Sequence, residues 1–228
     1  MINDTFDRTL IIAPHADDEV IGCGGIIRRL IKSGCSVSVI IVTVGDIRFY
    51  HSNKVVTQQE RTNEFFRAME SLGVTDYKIL IGGYDGELDT LPIKDVVSVL
   101  DRSLIEYKPS AVLIPYPSFH QDHKVVFDAS FAALRPSPIT DQIKLIAVYE
   151  YPFIHWELED KVRGGSFYVC IDDEIEDKLK AFDHYESQIR NNKCLITPEA
   201  ITLWARRRGL ESRVEYAEML RVIKGVVR

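Results

Sequence analysis

His15, Asp17, Asp18 and Glu19 fall in one short run, Ala13-Pro14-His15-Ala16-Asp17-Asp18-Glu19, directly after the apolar segment Thr9-Leu10-Ile11-Ile12-Ala13. One imidazole and a row of carboxylates beside a buried segment cost several kcal/mol unless something pairs with them. A divalent cation is the simplest partner. A second polar run, Pro117-Ser118-Phe119-His120-Gln121-Asp122-His123, follows another short apolar segment, Ala111 to Pro115. Histidine and carboxylate ligands with one position left open are the pattern of a catalytic zinc site. His15 and Asp18 are three apart on a turn entering a helix, so both can point to one side while Asp17 points elsewhere. A carboxylate that lies beside a metal-activated water without being a ligand is what a general base requires. His120 and His123 repeat the three-residue spacing, and one of them can ligate while the other faces a substrate.

Hydrophobic periodicity supplies the elements that must position these groups. Thr9 to Ala13 reads as a short strand, and Val20 to Lys32 as a helix. That helix has Val20, Ile21, Gly24, Ile27, Leu30 and Ile31 on its apolar face, and Gly34 stops it. Val37 to Val44 is a nearly continuous β-branched run, as in a parallel strand covered on both faces. Strand, helix and strand make a right-handed βαβ unit. Gly45 to Lys54 reads as a polar loop, and Thr57 with Glu60 as a capping box opening a helix to Leu72. Tyr77 to Ile81 is a strand, and Leu91 to Glu106 a helix with Ile93, Val96, Val97, Leu100, Leu104 and Ile105 facing inward. The strand Ala111 to Pro115 leads through the second polar run to a helix over Lys124 to Leu134. Lys144 to Tyr149 and Ser166 to Cys170 read as strands, and Asp172 as the cap of a helix over Ile175 to His184. Thr197-Pro198-Glu199 opens a last helix through Trp204. The alternation predicts one α/β domain over residues 1–228, a mostly parallel sheet flanked by helices, with a helical C-terminal part. In such a sheet, loops leaving the carboxyl ends of strands line one edge, where ligands bind. The two polar runs can therefore meet.

The formal charge of -6, from 28 basic and 34 acidic side chains, argues against nucleic acid, since no basic stripe interleaves with aromatics. Arg206-Arg207-Arg208 reads as a solvated face or as partners of carboxylates. No apolar run reaches the roughly 18 residues of a membrane span. The polar, acid-bearing Met1-Ile2-Asn3-Asp4-Thr5-Phe6-Asp7-Arg8 is unlike a secretory signal. Cys23, Cys35, Cys170 and Cys194 are widely separated and read as reduced thiols of a cytoplasmic protein.

Pro14-His15-Ala16-Asp17-Asp18-Glu19 with Gly22-Cys23-Gly24-Gly25, and His120-Gln121-Asp122-His123, together resemble the PIG-L/LmbE-like family of metal-dependent N-deacetylases. Arg61-Thr62-Asn63-Glu64 before Leu72-Gly73, Tyr185-Glu186-Ser187-Gln188, and Arg208-Gly209 with Tyr216-Ala217-Glu218 extend the resemblance over nearly the whole chain. The resemblance implies a Rossmann-like fold. It implies zinc on His15, Asp18 and His123, with iron(II) an alternative in the cell. Asp17 would then be the general base, His120 the stabiliser of the oxyanion, and Asp122 the group orienting a histidine. The implied substrate is a small molecule, an N-acetylated amino sugar or a conjugate of one. Ala16 and Gln121 stand where the family commonly has proline, and neither position supplies a ligand. Arg61 contacts substrate or forms a salt bridge with Glu60 or Glu64, and Glu19 caps the helix or binds a basic neighbour. Residues 46–54 and Tyr84-Asp85-Gly86 are candidate specificity walls. His51, His155 and His184 read as surface or structural histidines, and Trp156 as a packing or sugar-stacking ring. Three rivals remain: a non-haem iron(II) enzyme on the same ligands, a nucleotide-binding module at Gly22 to Gly25, and a sugar-binding member without activity. A homo-oligomer is compatible with all of these readings.

Overall fold

The computed structural model describes residues 2–49, 54–151, 164–189 and 196–227. His51, His155, Trp156 and Cys194 lie outside the described residues. In chain order the elements are α1 (Ile2–Phe6), β1 (Arg8–Ala13), α2 (Asp18–Lys32), β2 (Ser36–Val44), β3 (Ile47–Phe49), β4 (Lys54–Val56), α3 (Gln58–Leu72) and β5 (Asp76–Gly82). They continue as α4 (Ile93–Tyr107), β6 (Ala111–Pro115), α5 (Gln121–Ala133), β7 (Leu145–Tyr149), β8 (Gly165–Cys170), α6 (Ile175–Asp183), α7 (Pro198–Ser212) and β9 (Ala217–Gly225).

The main sheet has the order β5-β2-β1-β6-β7-β9-β8. β1 pairs parallel with both β2 and β6, β2 with β5, and β6 with β7, while β9 runs antiparallel to β7 and β8. The chain leaves β1 toward β2 and β5, then returns to β6 on the other side. Connections therefore diverge between β1 and β6, the position at which a Rossmann-like sheet opens a crevice. The β1–α2 and β6–α5 loops carry the two polar runs.

Alternate strand residues feed two cores. Ile11, Val39, Ile41, Leu113 and Ala147 pack with Ile27, Phe65, Met69, Phe182 and Tyr185, drawn from α2, α3, α6 and the turn after it. Leu10, Ile12, Ile40, Val112 and Val148 pack with Val96, Leu100 and Leu104 of α4 and Val126 and Ala129 of α5. Burial on both faces explains why these strands read as continuous apolar runs. α3 begins with the expected capping box: the Glu60 N–H donates to Thr57 Oγ1 at 3.2 Å and the Thr57 N–H to Glu60 Oε2 at 2.8 Å. Gly73 ends it at φ 81°, a left-handed position that suits glycine. Among the described residues no helix is long and apolar enough to cross a membrane.

Several local expectations are corrected. Ile93 and Ile105 of α4 are exposed. The buried stripe is Val96, Leu100, Ser103 and Leu104, so Ile93 lies at the helix start and Ile105 turns away about 100° from Leu104. Asp172 does not cap α6; Glu174 occupies that position, and Asp172 accepts the Tyr216 N–H at 2.6 Å. Within the polar loop after β2, β3 and β4 pair as a small antiparallel ribbon. α7 runs on to Ser212, and β9 then enters the sheet between β7 and β8.

α2 is broken at Cys23, whose φ and ψ of −149° and 25° are not helical. The break frees backbone groups inside the core, and an ion pair from far along the chain takes them up. Glu218 of β9 accepts the N–H groups of Gly25 at 3.0 Å and Ile26 at 2.7 Å. Lys178 of α6 donates to the freed Ile21 carbonyl at 2.8 Å and to Glu218 at 2.5 Å. Gly22 lies so near β7 that a Cβ would fall 2.3 Å from the Tyr149 ring. Glu218→Ala leaves a buried ammonium without its counter-ion and two buried N–H groups without an acceptor, so a urea melt should show a loss of about 3–5 kcal/mol. Glu218→Gln keeps one acceptor and should lose less.

Candidate active site

The first loop leaves β1 at the sheet edge, where the Thr43 N–H of β2 donates to the Pro14 carbonyl at 3.0 Å. His15 follows, buried, with Nε2 at 2.8 Å from Asp122 Oδ2 and Nδ1 at 3.3 Å from Asp18 Oδ2. When Asp122 holds the Nε2–H, the Nδ1 lone pair is directed toward Asp18. His123, at the start of α5, brings Nε2 to 3.2 Å from the same Asp18 oxygen. Asp18 also accepts the His15 N–H at 3.1 Å.

His15, Asp18 and His123 are all buried and offer ligand atoms within 4.8 Å of one another. The donor set fits a divalent cation, with two imidazole nitrogens and one carboxylate oxygen facing a common point. The charge balance fits as well. Burial disfavours a charged His15, but bonds to Asp122 and Asp18 and the nearby Asp85 outweigh it and raise its pKa to about 10. Without a cation, a proton on His15 compensates the carboxylates. Burial likewise opposes the Asp18 charge, but His123 and then His15 hold its carboxyl far below the usual carboxylate range. A second group, His15, His120 and Asp122, also gathers donor atoms within 4.8 Å. Using it would consume the His15–Asp122 bond.

Asp17 is placed apart from the ligand set. Its carboxylate makes no hydrogen bond among the described residues, although the side chain is buried. Its backbone has φ 133° and ψ −31°, a region that costs a residue with a Cβ about 1–3 kcal/mol. Burial, followed by the adjacent Asp18, pushes its carboxyl well above the ordinary range, against the pull of Arg61. A cation at the neighbouring ligands acts in the same direction as Arg61 and favours the ionised form. Glu19 is fully buried and binds no basic neighbour among the described residues: Oε2 accepts the Asp17 N–H at 3.1 Å and Oε1 accepts the Tyr185 hydroxyl. Burial pushes Glu19 up to about 7, against the Tyr185 bond.

The second loop comes from β6. His120 caps α5, its Nδ1 accepting the Asp122 N–H at 3.2 Å. An accepting Nδ1 leaves the proton on Nε2, which has no partner among the described residues. Burial lowers the pKa of His120, and His15 and His123 add to the effect, so the ring is a neutral Nε2–H donor. Asp122 is fully buried and accepts the Gly86 N–H at 2.6 Å and the Leu88 N–H at 3.0 Å besides its bond to His15. Burial opposes its charge, but these bonds, led by His15, hold its carboxyl below the ordinary value.

Arg61 of α3 is buried and pairs with Asp85, and its Nη1 also donates to the Gly45 carbonyl at 3.1 Å. Neither expected partner is available, because Glu60 is in the capping box and Glu64 accepts the Ser187 N–H at 2.7 Å and hydroxyl at 2.6 Å. Arg61 Nε is buried without a hydrogen-bond partner. His15, Asp17, Asp18, His120, Asp122 and His123 thus meet at one crevice, with Arg61 at its wall. The spacing of the sequence carries no signal for the Tyr185–Glu19 bond or for the Arg61–Asp85 pairing. His184 is not in the cluster, and Arg206, Arg207 and Arg208 pair with Glu215, Glu211 and Glu150 respectively. Cys23, Cys35 and Cys170 form no disulfide.

A model of the PIG-L family, described as GlcNAc-PI de-N-acetylase, matches residues 10–134, over half of the chain. Diacetylchitobiose deacetylase of Thermococcus kodakarensis is 29% identical over 243 aligned residues, covering 99% of this chain and 87% of that protein. The structure of N,N'-diacetylchitobiose deacetylase from Pyrococcus horikoshii superimposes with a TM-score of 0.76 at 24% identity, over 99% of this chain and 88% of that one. A 4-carboxy-2-hydroxymuconate hydratase from Pseudomonas putida KT2440 has a TM-score of 0.74 at 18% identity, over 97% and 98% of the two chains. The fold by itself therefore does not specify the reaction, and the residues at the crevice must. The family match runs through both strand-end loops that the sheet brings together: the chain belongs to the PIG-L family and is a metal-dependent N-deacetylase.

Proposed function

We propose that the protein removes the N-acetyl group from an amino sugar or a small conjugate of one, with zinc as its cation. Residues 1–228 would work as one deacetylase domain, in the cytoplasm. The observation that carries this reading is an Asp17 carboxylate without a hydrogen bond among the described residues, beside a converging His15, Asp18 and His123 set. The diacetylchitobiose deacetylase likeness over nearly the whole chain supports a sugar amide as substrate.

His15, Asp18 and His123 would hold the cation. When bound there, the cation would supply Lewis acidity, polarising the amide carbonyl and making water easier to deprotonate. Asp17 takes a proton from the attacking water and later delivers it to the leaving nitrogen. His120 donates its Nε2–H to the oxygen on which negative charge develops, and as a neutral donor it keeps that proton. Asp122 keeps His15 in the tautomer that leaves Nδ1 free. Arg61 holds the Asp85 loop in place at the wall of the site.

The test is acetate release by the zinc-loaded protein from free, nucleotide-linked and lipid-linked N-acetylated sugars and from N,N'-diacetylchitobiose. Release from at least one sugar class is expected. No acetate from any of them, with the metal sites filled, overturns the reading. Loading with iron(II) in parallel separates the two cations by rate.

A further inference from the structure

We infer that Tyr185, acting through Glu19, is a positioning residue for the general base: the pair grips the Asp17 backbone and so aims its carboxylate. The inference rests on the reading of Asp17 as the base.

Asp17 occupies a backbone region that residues with a Cβ rarely adopt, at φ 133°. Such a conformation persists only when the surroundings over-determine it. Here both sides of the residue are held. Its carbonyl accepts the N–H groups of Val20 at 3.1 Å and Ile21 at 2.9 Å, which ties it to α2. Its own N–H, pointing the other way, donates to Glu19 Oε2 at 3.1 Å. That bond resembles a capping box shortened by one residue, since Glu19 lies two places after Asp17.

A carboxylate two residues away has other rotamers open to it, and Tyr185 removes them. Its hydroxyl donates to the second Glu19 oxygen, and both side chains are fully buried. Tyr185 stands in the turn after α6, and Ser187 of that turn is bonded through its N–H and hydroxyl to Glu64 of α3. The grip on Asp17 is thus anchored on two helices outside the loop. Neither Glu19 nor Tyr185 belongs to the His15, Asp18 and His123 set.

The experiment compares Glu19→Ala, Glu19→Gln and Tyr185→Phe, with zinc content and the circular-dichroism melt recorded for each. Misplacement of a reacting group by about 1 Å costs up to about a hundredfold. We expect kcat to fall about a hundredfold in Glu19→Ala and about tenfold in Tyr185→Phe, with KM and zinc content unchanged. Glu19→Gln should recover most of the rate, because its amide oxygen still accepts the Asp17 N–H. Hydrogen exchange of the peptide spanning Asp17 should speed up in Glu19→Ala. In an Asp17→Asn background Glu19→Ala and Tyr185→Phe should cost no further rate, since their route to the chemistry is gone. If Glu19→Ala does not fold, Tyr185→Phe decides, because it removes only the hydroxyl. A kcat within twofold of the parent at full zinc content, or the same loss repeated in the Asp17→Asn background, overturns the inference. A fully active Asp17→Asn protein instead overturns the role of Asp17 itself.

Discussion

Asp17→Asn should keep the fold and the bound metal and lose about 10²–10⁴-fold in turnover. The side chain is not in the ligand set, and its carboxylate makes no hydrogen bond among the described residues, so an amide of the same shape disturbs little. What disappears is the ability to accept a proton. Stability should hold or rise, because Asp18 and Glu19 lose a like-charged neighbour that burial already disfavours. Turnover at saturating substrate, metal-to-protein ratio and melting temperature form the necessary set of measurements. Full turnover would mean that another group is the base. Loss of metal together with rate would place Asp17 among the ligands.

His123→Ala should empty the metal site. The imidazole supplies one of the three converging donors, and its Nε2 lies 3.2 Å from the Asp18 oxygen. Affinity for zinc should fall by more than the about 10–100-fold that follows loss of a hydrogen bond supporting a ligand. Asp122→Ala, which removes such support from His15, sets that scale within the same protein. His120→Ala is the contrasting case. His120 Nδ1 serves the α5 cap and Nε2 has no partner among the described residues, so its removal should lower the rate while metal content stays near normal. Equal metal loss in the two histidine variants would mean that both ligate, and loss in His120→Ala alone would mean that their roles are exchanged. Metal content by elemental analysis after dialysis against a zinc buffer distinguishes these outcomes.

The parts legible in the sequence are those governed by near neighbours in the chain. β1 and β6 are read from short apolar runs and β2 from a β-branched run, because both faces of a parallel sheet are buried. Thr57 and Glu60 announce α3 because a capping box closes within one turn. The three-residue spacing of His15 and Asp18 puts both on one side of a helix entrance, and the structure has them 3.3 Å apart. The meeting of the two polar runs follows from a general property of parallel sheets, whose strand-end loops share one edge.

Tertiary structure alone decided the rest, where the partners are distant and carry no periodic pattern. Arg61 is three residues from Glu64 yet pairs with Asp85, because the β5 loop folds over α3 and Glu64 is taken by Ser187. Nothing in the spacing of Glu218 and Lys178 marks them as buried, and the break in α2 gives these core residues their partners. β9 escapes a reading by alternation because Glu218 is buried by that pairing while Val222 and Ile223 are half-buried. Glu19 reads in sequence as a helix cap or the partner of a basic group; one oxygen does accept the N–H of the N-cap residue Asp17, while the second partner, Tyr185, arrives from the turn after α6 and has no signal in the spacing. The sequence by itself determined which residues could hold a metal and which sheet edge would gather them. The tertiary structure decided how each is aimed, because aim depends on buried hydrogen bonds between segments that only packing brings into contact.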